Sequence, residues 1–127
     1  MGLLNGLLTG AGNGGSSSTL PALNIQNLTG ASDTISKNPF IELRATSPLI
    51  MTSTPTISAG ITDGERIIIR GSNTTNTITL QSESNLTGSN LYMEGGINCV
   101  LGLNDVIQFR WNALTNNWIE ITRSLNS

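Results

Sequence analysis

Few residues in this chain could do chemistry. There are eight carboxylates, no histidine and a single cysteine, Cys99. Two acids alone can hydrolyse a glycosidic bond when they converge on it. Asp63 and Glu65 flank one turn, whereas Glu42, Glu83, Glu94, Asp105 and Glu120 are scattered, and nothing in their spacing brings two together. Glu65, Glu94 and Asp105 could ligate Ca²⁺ with loop carbonyls, but no run of alternating acids closed by glycine forms a calcium loop. Gly10, Gly12 and Gly15 satisfy a GxGxxG pattern. A dinucleotide site needs a strand before that pattern and a helix after it, and here a Gly/Leu stretch precedes and serines follow. Without histidine there is no His-based triad or His metal site, and one cysteine leaves no internal disulfide. Cys99, between Asn98 and Val100, reads as a small core residue. The expectation is a chain that is not an enzyme, with no catalytic, cofactor or metal residues.

Composition points the same way. The chain has 127 residues, a net charge of -2, only 11% charged residues and 4% aromatics. Asn, Ser and Thr make up about a third of it. No basic footprint for nucleic acid is present, and no apolar run approaches the ~20 residues that span a bilayer. No nucleic-acid or membrane partner is expected. The amino terminus lacks a basic region and reads poorly as a secretory signal. Asn27, Asn73 and Asn85 open Asn-X-Thr triplets, which an Asn/Thr-rich chain produces by chance.

The elements that must position these residues read as all-β. Residues 1–20 carry six of the 14 glycines and a Ser16–Ser18 run, with Leu3, Leu4, Leu7 and Leu8 at helix-like spacing. That composition predicts a flexible arm whose leucines grip a partner. Residues 21–56 hold all four prolines and read as an extended segment with short strands, Phe40–Ala45 and Leu49–Met51 among them. In the first of these, Ile41, Leu43 and Ala45 share one face, Glu42 and Arg44 the other. Residues 57–127 read as the β domain. Asp63-Gly64 predicts a hairpin joining Thr56–Thr62 to Glu65–Arg70. Strands at Asn76–Leu80, Leu91–Glu94, Ile97–Leu101, Val106–Trp111 and Trp118–Arg123 follow at roughly 8–12-residue spacing. The expected fold is an antiparallel β-sandwich or barrel, jelly-roll-like, with an extended N-terminal arm.

Ile67-Ile68-Ile69 is apolar on both faces of its strand, so a second covering surface is required. Another copy of the chain would supply it, which makes Ile67, Ile68, Ile69, Ile78 and Leu80 the expected oligomer interface. Ile107, Phe109, Trp111, Trp118, Ile119 and Ile121 are the expected core, with the two tryptophans as a plug whose N–H groups reach a loop carbonyl.

The pieces ITDGERIIIRGSNTTNTITL (Ile61–Leu80), the turn Leu101–Asp105 and VIQFRWNALTNNWIEITRS (Val106–Ser124) carry a resemblance. Together they resemble a β module of virion proteins in tailed bacteriophages, notably those of cyanobacteria. There the module ends small head decoration proteins and tail-fibre tips. The shared pattern is a DG turn, an apolar strand, a TIT-like strand and a closing W-loop-W-x-E-x-x-R-S. It covers residues 57–124, about half the chain. The resemblance implies a homotrimeric, all-β structural module without catalytic chemistry, made in the host cytoplasm. A chain this short has no room for a fibre shaft. A decoration, or cement, protein on the outer surface of the capsid is therefore the expectation, with the major capsid protein as partner. The alternative is a tail-fibre tip or glycan-binding module using Trp118 or the Ser82–Asn90 loop on a glycan receptor.

Overall fold

The computed structural model describes residues 21–126. The described residues form nine strands: β1 Asn24–Leu28, β2 Phe40–Ala45, β3 Leu49–Ile50, β4 Arg66–Arg70, β5 Ile78–Leu80, β6 Leu91–Tyr92, β7 Cys99–Leu101, β8 Val106–Asn112 and β9 Asn117–Ser124. One 3-10 turn, Glu94–Gly96, lies between β6 and β7, and no α-helix occurs among the described residues. A six-stranded sheet runs β1-β2-β4-β8-β9-β6, and a three-stranded sheet runs β3-β5-β7.

The expectation of an antiparallel fold is corrected. Both sheets are mixed: β1–β2, β2–β4, β9–β6 and β3–β5 pair in parallel, while β8–β9, β8–β4 and β5–β7 are antiparallel. Parallel neighbours need a crossover, normally a helix. Here irregular loops serve instead, and the path from β2 to β4 carries β3 into the other sheet. Alternation in a strand reports which face is buried but not which direction its neighbour runs, so this feature left no mark in the sequence.

The hairpin expected at Asp63-Gly64 is also corrected. A turn is present and Gly64 takes φ 84°, a conformation that glycine enters without penalty. Yet residues 56–62 form no strand beyond a single bridge from Ile57 to Ile35. β4 pairs with β2 and β8, and the turn is tied down by Gly64 N donating to Trp111 O at 2.9 Å. β1 and β2 belong to the same sheet as β4, β8 and β9.

Both sheets contribute to one core. Ile41, Ile69, Ile107 and Phe109 from the large sheet meet Ile78, Leu80 and Leu101 from the small one. Trp118 is fully buried, and its indole N–H donates to Ser58 O at 3.0 Å. Ile119 and Ile121 depart from the expected core. Ile119 is half-buried on the outward face. Ile121 is 42% exposed, because the β8–β9 register breaks between Gln108 and Phe109 and leaves Ile121 as the extra residue of a bulge.

Candidate functional site

The chain buries one face of the large sheet and leaves the other open. In β4 the pattern places Ile67 and Ile69 inside and Arg66, Ile68 and Arg70 outside. In β8, Ile107, Phe109 and Trp111 point in while Val106, Gln108 and Arg110 point out. β2 sends Ile41 and Leu43 inward and Glu42 and Arg44 to the outer side. Four of the six cations thus share one outer face, namely Arg44, Arg66, Arg70 and Arg110.

Two of these arginines are neutralised. Glu42 is 7% exposed and accepts from Arg44 Nε at 2.6 Å and Arg70 Nε at 2.8 Å. The hydrogen bond from Arg44 holds its carboxyl below the usual range, against the opposing effect of burial, and Arg70 adds to the shift. Arg70 also lies 5.3 Å over the Phe40 ring. Arg66 and Arg110 differ. They stand directly opposite each other in the β4–β8 register, both exposed, and neither forms an ion pair among the described residues. The row continues through Ile119 on β9 to Tyr92 on β6.

The interface residues expected from the Ile67-Ile68-Ile69 run are redistributed. Ile67, Ile69, Ile78 and Leu80 are buried by this chain itself, and only Ile68 faces outward, half-covered by its neighbours. The three-stranded sheet shares the core with the inner face of this strand, where Ile67 and Ile69 lie, and the outer face with Ile68 stays open. Leu3, Leu4, Leu7 and Leu8 lie outside the described residues.

Most of the carboxylates are spent on structure, while Asp63 and Glu94 stay exposed. Glu65 pairs with Lys37 and accepts from Ile61 N and Thr62 N; burial resists its ionisation, but these bonds outweigh it and the pKa falls. Glu120 binds Arg123, whose guanidinium also donates to Ile97 O and Asn98 O. Asp63 Oδ1 accepts from Ala113 N at 2.9 Å. Glu83 accepts from Gly88 N and Asn90 N and so braces the Ser82–Asn90 loop. Among the described residues, no three His, Cys, Asp or Glu side chains gather as a metal cluster.

Trp118 offers no ring to a sugar, because it is buried. An open cavity of about 320 Å³ does lie beside the loop, lined by Ser82, Glu83, Ser84, Tyr92, Met93 and Gly96. Its aromatic is Tyr92, which sequence reasoning missed. Tyr92 sits in a two-residue strand too short to show alternation.

β1, β2 and β4 run parallel and β8 runs against them, and the registers set Asn24 level with Ile41, Ile69 and Ile107, near the start of β8. The far end of β8 gathers other features. The Asp63 turn and the β8–β9 hairpin are bonded to each other at that end. There Ile61 is 81% exposed and Leu114 91%. Comparison with protein-family models, with curated proteins and with solved structures returns no match to this chain.

Proposed function

We propose that this chain is a structural virion protein that decorates the outside of a phage head as a homotrimer and stabilises the shell. Its two sheets form a β-sandwich knob, and its role is binding rather than catalysis. The observation that carries this reading is the apolar pair Ile61 and Leu114, exposed on the Asp63 turn and the β8–β9 hairpin that are bonded to each other. The Gly- and Leu-rich segment 1–20 precedes this knob in the sequence. A leucine-bearing arm and an apolar platform together suit a surface that docks on something large. A protein that binds only the assembled lattice stabilises that lattice, and three arms on one trimer raise their effective concentration. Deletion of residues 1–18 is the test, read by cosedimentation and electron microscopy with heads of the phage. The truncated knob should remain folded and no longer decorate heads; normal decoration by the truncated protein overturns the reading.

A second reading, a tail-fibre tip or glycan-binding module, draws on the cavity beside Tyr92, whose half-exposed ring sits among Ser82, Ser84 and Glu83. A glycan array separates the two. Hits lost on Tyr92→Ala favour this second reading, and an array without hits removes it.

A further inference from the structure

Arg66 and Arg110 are like charges placed directly opposite on adjacent antiparallel strands. Such a pair destabilises the sheet that holds it. The other four cations each hold a carboxylate: Lys37 with Glu65, Arg44 and Arg70 with Glu42, Arg123 with Glu120. The two unpaired cations of the described chain therefore sit together, in a row that runs on through Ile119 and Tyr92. Among the described residues no carboxylate pairs with either, so both guanidinium groups are open to an anion from outside.

The charge distribution says what complement fits. Four arginines against Glu42 leave this outer face at +3. With the chain at -2, the remainder carries -5, including the exposed carboxylates Asp63 and Glu94. Two copies meeting through the same face would bring their arginines together, which repels. One copy's arginine face against another copy's acidic remainder attracts. Such a contact is head-to-tail, and a head-to-tail contact closes into a ring when its rotation permits.

We propose that Arg66 and Arg110, flanked by Ile68, Ile119 and Tyr92, are the contact through which one copy grips carboxylates of the next. This inference rests on the homotrimer reading and supplies that trimer's interface. Arg66 and Arg110 are the ionic centre of the contact, and the row from Ile119 to Tyr92 is its apolar flank.

Full-length protein is compared with the Arg66→Glu/Arg110→Glu double variant by sedimentation and native mass measurement, in low and high salt. The wild type should be oligomeric and dissociate as salt rises. The double variant should be at least about tenfold weaker in self-association, with its β circular-dichroism signal retained. Arg66→Gln/Arg110→Gln removes the repulsion without adding charge; it serves if the reversal fails to fold, and it too should dissociate. A wild-type oligomer whose mass is unchanged in both variants overturns this inference and leaves the trimer reading standing. A wild type that is a single subunit overturns both.

Discussion

Trp111 and Trp118 face each other across the β8–β9 hairpin, ring centroids 5.0 Å apart and planes inclined at 62°. This edge-to-face arrangement is the favoured one for aromatic pairs. The pair is locked from both sides. The Trp118 indole donates to Ser58 O, and Gly60 lies so close over Trp111 that a Cβ there would stand 2.3 Å from Trp111 Cγ. The loop before β4 thus closes one end of the core by resting on these rings. Trp118→Ala should cost about 3–5 kcal/mol, as expected for emptying a fully buried tryptophan site. Trp118→Phe keeps most of the volume but leaves Ser58 O without its donor, so a smaller loss is expected. Denaturant unfolding followed by circular dichroism measures both, and a Trp118→Ala midpoint equal to wild type would refute the plug.

How much of this was legible beforehand differs by element. Phe40–Ala45 shows its buried face through alternation, whereas Arg66–Arg70, with three successive isoleucines, does not; both form strands over those residues. The parallel order of β1, β2 and β4 was not readable, because alternation has no direction. Ile121 fits the alternating pattern of its strand, yet a bulge defined by its partner's register exposes it. The Ile67-Ile68-Ile69 run reads as a strand needing two coverings; β5 and β7 share the core with Ile67 and Ile69, and Ile68 is half-buried on the outer face. Arg66 and Arg110 lie 44 positions apart and each looks like an ordinary solvated residue. Only the β4–β8 register makes them a pair.

Gly71 is where two backbones touch. A Cβ on it would lie 2.2 Å from Gly102 O, and the residue bridges to Leu103 while donating to Asp105 O. Backbone cannot rotate away as a side chain can. Gly71→Ala should therefore destabilise by about 1–3 kcal/mol or more through overpacking. Gly30 provides the contrast, since a Cβ there meets nothing within 4 Å. Gly30→Ala should change stability by no more than about 0.5 kcal/mol. Equal unfolding midpoints for the two variants would show that the approach at Gly71 is not a constraint.

Acid should unfold this protein through its paired carboxylates. Arg44 and Arg70 lower the Glu42 pKa beneath its ordinary 4.5. The Arg123 hydrogen bond does the same for Glu120, with burial opposing. A carboxyl whose folded pKa is depressed contributes stability above its unfolded pKa and loses it as pH falls through the folded one. Thermal midpoints should be level from pH 7 to about 5 and fall below 4.5. Glu42→Gln should lower the midpoint at pH 7, where it leaves two arginines without their anion. It should also flatten the fall in acid. A wild-type midpoint indifferent to pH down to 3 would contradict the assignment.

Cys99 offers a reading of how the two sheets unfold. It lies on β7, opposite Leu80 on β5, with no exposed surface. Burial foremost, with Glu120 and Asp105 nearby against the favourable Arg123, pushes its thiol up to about 11. Thiolate is the reactive form, so the native protein should be nearly inert to a disulfide reagent at pH 8. Labelling then requires opening of the three-stranded sheet. That sheet shares its core with Ile41, Ile69 and Phe109 of the other, so it should not open alone. The labelling rate should rise with denaturant along the same slope as tryptophan fluorescence, which reports Trp111 and Trp118 in the large sheet. A shallower slope for labelling would mean that the small sheet detaches first and that the core is two cooperative units.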